Sequence, residues 1–247
     1  MNIKLINSSL FVFTAIVAWV SLISGCAAQS ATTRAPAASA AQGSGVKQAA
    51  TVSPALMDPA SANKEAPPKF QAKFTTTKGE FVVEVTRAWA PNGADRFYNM
   101  CQSGYFTDIA IFRSIKGFMF QFGIHGDPAV SAKWMESNIE DDKSNGISNT
   151  PGTLSFAQTA RPNSRSVQMF VNTGNNTFLD KARGGGAPFV PFGKIVSGMS
   201  VIPKIHVTGE NKPDVQGKFK QGGNEYIKTK YPNVDFIRSV SVVNVTN

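Results

Sequence analysis

The segment from Ile111 to Gly123, which reads I-F-R-S-I-K-G-F-M-F-Q-F-G, decides how the rest of the chain is interpreted. Hydrophobic residues dominate it, and Gly117 divides it into two short runs that are typical of two β-strands joined by a turn. Side chains alternate between the two faces of a strand. Arg113 and Gln121 are therefore predicted to meet across the turn, with Met119 on the face of Gln121. The opposite face is predicted to carry three aromatic side chains: Phe118, Phe120 and Phe122.

Two interpretations of this hairpin follow from the residues alone. It is either a buried hairpin with Arg113 and Gln121 at its rim, or the wall of a site in which a cation and an amide lie beside aromatic rings. A short pattern of this kind does not separate the two, because the same residues suit both environments.

The composition is that of a globular domain with additional sequence. The chain has 247 residues, of which 42% are hydrophobic, enough for one domain with a sizeable core. Its formal net charge is +9, which becomes +8 if Lys4 is removed with an export signal. Such a basic surface is attracted to anionic lipid or cell-envelope polymers. The basic residues are scattered and export is predicted, so no nucleic-acid partner is expected.

The first 25 residues have the features of an export signal. Lys4 is followed by a hydrophobic run from Leu10 to Ile23 and then by small residues, as in a secretory signal peptide rather than a membrane-spanning helix. Ile23-Ser24-Gly25-Cys26 resembles the lipobox of bacterial lipoproteins, in which the cysteine becomes the acylated first residue. The alternative is an ordinary signal peptide that is cleaved near Ala27-Ala28.

The lipobox implies an extracytoplasmic protein anchored to the membrane by lipid on Cys26. Ala27 is not the aspartate that retains many lipoproteins at the inner membrane, so the periplasmic face of the outer membrane is expected in a Gram-negative cell. Residues 26–68 are rich in small and polar residues and predict a flexible, lipid-anchored tether. Acylation of Cys26 leaves Cys101 without a disulfide partner, and its place on a hydrophobic helix face predicts a core position.

The folded domain is predicted to cover residues 69–247. Two β-rich runs meet at Lys78-Gly79, as in a hairpin, and a helix is predicted between Ala90 and Gly104. The polar passages 124–149 and 211–232 are predicted to be loops. Two further elements are predicted, a short helix that begins at Ser197–Ile205 and a closing strand at Asp235–Val243.

His125 and Asp127 lie close together in the first of these loops. Their spacing suggests a metal site or an acid–base pair. The chain has only two histidines and no further cluster of ligands, however, so the two are interpreted as hydrogen-bonded loop residues.

The central hairpin resembles the active-site signature of the cyclophilins, which are peptidyl-prolyl cis-trans isomerases, with the approximate pattern F-H-R-x-I-P-G-F-M-x-Q-G-G. The arginine, the Gly-Phe pair, the methionine and the glutamine match. Residues 152–173 resemble a second block of the family, and Phe178-Leu179-Asp180 and residues 192–194 resemble its W-L-D and F-G-K motifs. The chain departs from the family at five positions: Phe112, Lys116, Phe122, Phe178 and Phe189.

The resemblance extends from about residue 69 to the C-terminus and implies the fold. A cyclophilin-like domain is mainly β, a closed eight-stranded antiparallel β-barrel capped by two short helices. In this chain the signal peptide and the disordered tether would precede that barrel.

The resemblance also implies roles for individual residues. Arg113 would donate hydrogen bonds towards the prolyl nitrogen and the neighbouring carbonyl, and Gln121 would hold the substrate carbonyl or orient the arginine. Ala157, Gln158 and Thr159 would form the extended edge with which the substrate backbone pairs. The pocket for the proline ring would be lined by Phe118, Met119, Gln168, Phe170, Phe178, Leu179 and Phe189.

The predicted activity is acceleration of rotation about X-Pro bonds in exported or envelope proteins, by a monomer. A prolyl bond turns over a barrier of about 20 kcal/mol because amide resonance is lost, and this needs no nucleophile, metal ion or cofactor.

Two other functions are compared with this one. The first is a tethered module that binds proline-containing segments, or acts as a chaperone, with little or no acceleration, and the five departures support it. The second is a hydrolase, but the sequence has neither a nucleophile elbow nor a paired general acid and base.

Overall fold

The structure is a computed structural model and describes residues 54–181, 186–209, 214 and 217–246. Nine β-strands lie within these residues, and every pair of neighbouring strands is antiparallel. The strands are β1 (Lys69–Thr76), β2 (Gly79–Thr86), β3 (Thr107–Ala110), β4 (Arg113–Ile115), β5 (Met119–Phe122), β6 (Thr153–Phe156), β7 (Met169–Asn172), β8 (Pro191–Ser197) and β9 (Phe236–Thr246).

The strands form one sheet in the order β3-β9-β1-β2-β8-β6-β7-β5-β4. The prediction of a mainly β, antiparallel fold is confirmed. The prediction of a closed eight-stranded barrel is corrected to a nine-stranded half-barrel, because in the described part of the chain no ladder joins β3 to β4.

At the open edge of the half-barrel, β3 and β4 pair with different strands. Only two residues separate them, but β3 pairs with β9 and β4 pairs with β5. The outer edge of β4 pairs instead with Thr208. The amide of Ser114 donates to the Thr208 hydroxyl at 2.9 Å, and the amide of Thr208 donates to the Ser114 carbonyl at 3.1 Å.

The predicted hairpin at Lys78-Gly79 is present. β1 and β2 pair along their length, from Lys69 opposite Thr86 to Thr76 opposite Gly79. Gly79 has a φ of +126°, which L-residues rarely adopt. Alternate residues of β1 are buried, as expected for strands with one face towards a core.

Helix α2 (Pro91–Gln102) follows the first hairpin, where the sequence predicted it. Proline begins the helix, and Phe97 and Met100 are fully buried against the main core. The second predicted helix is a 3-10 helix rather than an α-helix. It spans Met199–Lys204 and contains Pro203. Cys101 packs against the main core, and burial raises the pKa of its thiol.

The loop predictions for 124–149 and 211–232 were wrong in part. Helix α3 (Pro128–Glu136) lies in the first passage, and helix α4 (Lys218–Lys230) lies in the second. Asp127 caps α3 by accepting a hydrogen bond from the amide of Ala129 at 2.8 Å, and proline follows the cap. That signal was readable in the sequence. α4 was hidden by its glycines, one of which, Gly223, has a φ of +55° and interrupts the helix.

Residues 54–68 pack on the domain, although the sequence placed them in the tether. They include a short helix α1 (Pro54–Met57), in which Leu56 is buried and accepts a hydrogen bond at 2.8 Å from the Trp134 indole. The amide of Ala66 donates to Asp95 at 2.8 Å. The described domain therefore includes residues 54–68, because partners on α2 and α3 compensate for the weak local sequence.

The signal peptide, Cys26 and the tether up to residue 53 lie outside the described residues. No helix within the described ranges is long and hydrophobic enough to cross a membrane.

Candidate active site

The two faces of strand β5 separate a hydrophobic core from a surface site. Phe120 and Phe122 are buried in the main core, whereas Met119 belongs to a separate cluster with Phe170 and Leu179. The predicted alternation is therefore right for these strand residues. It is wrong for Phe118, which packs with the Met119 cluster because it belongs to the turn before β5 begins.

The turn at Gly117 brings Arg113 opposite Gln121. Gly117 has a φ of +71°, in the left-handed region that favours glycine, and the amide of Phe118 donates to the carbonyl of Ile115 at 3.1 Å. Arg113 pairs with Gln121 across β4 and β5, and Gln121 pairs with Phe170 across β5 and β7. Cross-strand neighbours of this kind lie side by side on one face.

A chain of hydrogen bonds fixes the polar side of the site. The Arg113 guanidinium donates from Nη1 to Oε1 of Gln121 at 3.3 Å, and Nε2 of Gln121 donates to Oε1 of Gln168 at 2.9 Å. The guanidinium carbon lies 5.9 Å from the centre of the Phe118 ring. The Arg113 Nε is buried and has no hydrogen-bond partner among the described residues.

A cavity of about 190 Å³ opens beside Arg113 and Gln121. Its hydrophobic floor is buried: Met119 is 2% exposed, Phe170 5% and Leu179 7%. The cavity is smaller than a typical drug site and is large enough for a proline ring. Nine described residues line it, and all nine were predicted from the sequence: Arg113, Phe118, Met119, Gln121, Ala157, Gln158, Phe170, Leu179 and Phe189.

Two aromatic contacts shape the walls. Phe189 meets Phe170 edge-on, with ring centres 5.7 Å apart and planes at 73°. Phe178 stacks on Phe118 with centres 5.9 Å apart and is 43% exposed. Phe178 does not line the cavity, so its contribution runs through Phe118.

Three predicted binding residues lie outside the cavity lining: Thr159, Gln168 and Phe178. Gln168 is a partner of Gln121 rather than a wall. The edge at 157–159 is partly occupied, because the amide of Ala157 donates to the Gln168 carbonyl at 2.9 Å and the amide of Thr159 donates to the Ser164 hydroxyl at 3.0 Å. Gln158 donates from its side chain to the carbonyl of Ala187.

A buried polar network behind the cavity was missed by the sequence analysis. Asn149 and Asn172 are fully buried, and Nδ2 of Asn172 donates to Oδ1 of Asn149 at 3.1 Å. Nδ2 of Asn149 also donates to the carbonyl of Phe189 at 2.7 Å, and Nδ2 of Asn176 donates to the carbonyl of Phe118 at 2.7 Å. The network therefore holds the backbones of two cavity walls, which no local sequence pattern indicates.

Asp180 anchors this network from the loop side. Its carboxylate accepts hydrogen bonds from the backbone and side-chain amides of Asn149, at 2.9 and 2.8 Å, and from the Ser148 hydroxyl. Burial raises the pKa of Asp180, but the bonds from Ser148 and Asn149 outweigh this and leave the pKa below its ordinary value.

His125 and Asp127 lie away from this cavity. The amide of Asp127 donates to Nδ1 of His125 at 3.0 Å, and the imidazole packs edge-on against Tyr105. Burial lowers the pKa of His125, and the contact with Asp127 offsets part of this. Within the described residues, no group of three or more His, Cys, Asp or Glu is placed to hold a metal ion.

The half-barrel places a cation and an amide beside a buried hydrophobic cavity, whose size and lining suit a small apolar ring. The family model described as "Cyclophilin type peptidyl-prolyl cis-trans isomerase/CLD" matches residues 71–222. The chain belongs to this family, and it is a peptidyl-prolyl cis-trans isomerase.

Two curated relatives are similar in sequence. The chain is 33% identical over 136 residues to peptidyl-prolyl cis-trans isomerase B of Escherichia coli, which covers 53% of this chain and 81% of the relative. It is 33% identical over 133 residues to a peptidyl-prolyl cis-trans isomerase of Acinetobacter baylyi, which covers 54% of this chain and 70% of the relative.

The fold is similar to that of solved cyclophilins. A cyclophilin type isomerase of Cryptosporidium parvum matches with a TM-score of 0.54 and 20% identity, over 72% of this chain and 99% of that one. The same protein, solved in the presence of the dipeptide Ala-Pro, matches with a TM-score of 0.53 and 20% identity, over 70% of this chain and 99% of that one.

Three of the five departures from the family pattern lie away from the cavity. Phe112 packs against Phe219 in a second core cluster, with ring centres 6.0 Å apart, and Phe122 is buried in the main core. Lys116 is exposed at the turn. Only Phe178 and Phe189 touch the walls of the cavity, and both keep a hydrophobic surface there.

Proposed function

We propose that this isomerase acts on X-Pro bonds of exported or envelope polypeptides, with Arg113 as its catalytic group. The observation that carries the proposal is the hydrogen bond between Arg113 Nη1 and Gln121 Oε1, which is 3.3 Å long and lies at the rim of the hydrophobic cavity. A guanidinium keeps its charge across the physiological pH range, so it is a constant donor. No metal ion or cofactor is required, because the reaction only rotates a bond.

The cavity binds the proline ring of the substrate. Met119, Phe170 and Leu179 offer a buried floor against which a proline ring loses contact with water, which is worth roughly 25 cal/mol per Å² of apolar surface. Phe118 and Phe189 close two sides. With the ring held, the residues before the proline remain free to turn about the prolyl bond.

Arg113 favours the twisted bond over the planar one. In a planar amide the prolyl nitrogen shares its lone pair with the carbonyl, but in the twisted state that pair is localised and accepts a hydrogen bond. The guanidinium of Arg113, which lines the cavity, is a donor suited to this nitrogen. An interaction that is stronger in the transition state than in the ground state accelerates the reaction.

The experiment is prolyl exchange in an Ala-Pro peptide, followed by nuclear magnetic resonance, together with peptide titration. The expected result is acceleration by the wild type and a fall of about 10²- to 10³-fold for Arg113→Ala, with peptide affinity nearly unchanged. Arg161, which is exposed and does not line the cavity, supplies the control variant Arg161→Ala. Equal rates for Arg113→Ala and wild type would remove Arg113 from the mechanism.

The competing function is a module that binds proline-containing segments without accelerating rotation. The departures from the family pattern that supported this function lie largely outside the cavity. A module that only binds does not need Arg113 and Gln121, yet Gln121 holds Arg113 and is itself held by Gln168. In the same experiment, peptide binding without any wild-type acceleration would favour the module.

The cellular setting is a further part of the proposal. A lipid on Cys26 would hold a monomeric domain at the cell envelope, on the periplasmic face of the outer membrane in a Gram-negative cell. Its support is the Ile23-Ser24-Gly25-Cys26 pattern after a hydrophobic run. Labelling with radioactive palmitate in bacteria should mark the wild type and not Cys26→Ser. If neither protein is labelled, the lipid anchor is rejected in favour of an ordinary signal peptide.

A further inference from the structure

A second, larger hydrophobic groove lies on the other face of the hairpin that carries Arg113. We call it the rear groove, and it is lined by residues 114–117, Phe120, Thr173 and five residues between 199 and 207. Its volume is about 580 Å³, compared with about 190 Å³ for the cavity beside Arg113. A groove of this size is in the range that holds large ligands or several side chains.

The walls of the rear groove leave large hydrophobic side chains in water. Met199 is 43% exposed and Val207 is 47% exposed, and the buried side chains of Ile202 and Ile205 lie beside them in the lining. They come from the 3-10 helix Met199–Lys204 and the segment after it. Contiguous exposed hydrophobic surface of this kind marks a binding surface more often than scattered single residues do.

Charge at the groove adds a preference to it. Lys116 is exposed at the rim, and the lining has no acidic residue among those described. An occupant with an apolar group and a negative charge would complement the hydrophobic lining and this cation.

The rear groove is continuous with the candidate active site around the hairpin turn. Gly117 lines the groove and its neighbour Phe118 lines the cavity, so the two sites meet at the turn. Along β4 they lie on opposite faces, with Ser114 in the groove and Arg113 in the cavity. The amide of Thr173 donates to the carbonyl of Phe118 at 2.8 Å, which joins the two walls directly. A chain bound at Phe118 therefore needs only to pass Lys116 to reach the groove.

We propose that the rear groove is a second binding site for the client polypeptide of the isomerase. It takes a large hydrophobic side chain from the segment that flanks the proline, with an acidic residue of that segment beside Lys116. The continuity with the active site selects a polypeptide over other amphiphiles. This inference rests on the isomerase function and adds a flanking-sequence preference to it.

The test compares two peptides. One is a short Ala-Pro peptide, and the other extends it with a Phe-Glu pair placed about two to about eight residues from the proline, on either side, since an extended residue spans roughly 3.3 Å. For the wild type, kcat/KM should be about tenfold higher for at least one extended peptide than for the short one, as burial of one aromatic side chain permits. Equal values for every peptide overturn the proposal.

Substitutions test whether the rear groove causes the preference for extended peptides. Val207→Trp fills the groove and Lys116→Glu reverses its rim charge, and both should abolish the preference while turnover of the short peptide stays unchanged. Val196→Trp is the matched control, because Val196 is 51% exposed and does not line the groove. A preference that survives in Val207→Trp overturns the proposal.

Binding measurements separate this inference from the proposed function. If no peptide is accelerated, titration of the preferred extended peptide into the wild type and Val207→Trp still reports on the groove, and weaker binding by Val207→Trp supports it. Binding of a myristate probe, lost in Val207→Trp, without binding of any extended peptide overturns it.

Discussion

Gln121 holds Arg113 from the opposite strand, with the guanidinium Nη1 donating to its Oε1 at 3.3 Å. The same glutamine donates to Gln168 at 2.9 Å, so its amide cannot rotate without breaking a second bond. The guanidinium is thereby held at the rim of the cavity by a side chain from a neighbouring strand and not only by its own rotamer. This arrangement pre-organises a donor at the rim of the cavity, as the role proposed for Arg113 requires.

The first prediction concerns this support. Gln121→Leu keeps the size of the side chain and removes the acceptor, so Arg113 should lose its fixed position and kcat should fall about tenfold while KM changes less. Gln168→Leu is the comparison, since it leaves the bond from Arg113 intact and should have a smaller effect. Prolyl exchange rates measure both, and equal losses would contradict a positioning role for Gln121.

The second prediction concerns Asp180 and acid stability. Its pKa lies below the ordinary carboxyl value of about 4, so the stability it contributes is present above that value and is lost as pH falls through its lower, folded-state pKa. Asp180→Asn should therefore be less stable than wild type near neutrality. The difference should shrink in acid. Urea unfolding at a series of pH values checks this, and a constant difference at all pH values would count against it.

The third prediction concerns His125. Burial lowers its pKa, so below about pH 6.5 the unfolded chain binds a proton that the folded chain does not, and stability falls with pH. His125→Asn keeps an acceptor for the Asp127 amide and should lose this part of the decline between about pH 6.5 and pH 5. His206→Asn, at an exposed position, is the control for a histidine outside the core.

The fourth prediction concerns the start of α2. Asp142 accepts hydrogen bonds from the amides of Asn92 and Gly93, at 2.9 and 3.0 Å, and pairs with the buried Arg165 at 2.8 Å. Asp142→Ala leaves that guanidinium with only a longer ion pair, to Asp141 at 3.5 Å, and should reduce the free energy of unfolding by about 3 kcal/mol.

A double variant separates the loss of the Asp142 hydrogen bonds to α2 from the effect of the buried Arg165 charge. Combining Asp142→Ala with Arg165→Met should cost less than Asp142→Ala alone plus Arg165→Met alone, because much of the first variant's penalty comes from a buried arginine that has lost its shorter ion pair. Chemical denaturation of all three proteins measures the coupling. Strict additivity would show that Arg165 and Asp142 do not act together.

Much of the site was predictable because its residues are close in sequence or lie in recognisable motifs. The alternation of residues 119–122 and the turn at Gly117 place Met119 and Gln121 on one face and oppose Arg113 to Gln121. All nine residues that line the cavity were among those predicted. The edge at 157–159 was predicted less well, because hydrogen bonds from Ala157 and Thr159 to other loops were not visible locally.

Helices in polar sequence were the weakest part of the fold prediction. α3 begins with an Asp-Pro cap that local rules could have identified. α4 contains two glycines and few hydrophobic residues, and it exists because Phe219 and Ile227 are buried against a core cluster that includes Phe112 and Phe236. Its stability comes from tertiary packing rather than from propensity.

The sequence by itself determined the hairpin, the antiparallel β class and the pairing of Arg113 with Gln121, because side-chain alternation and turn glycines act over a few residues. Only the tertiary structure decided that Asn149, Asn176 and Asp180 support the cavity walls, that residues 54–68 belong to the domain, and that a second groove lies behind the hairpin. These features depend on contacts between residues that are tens of positions apart, and the free energy of such contacts is set by packing and not by local pattern.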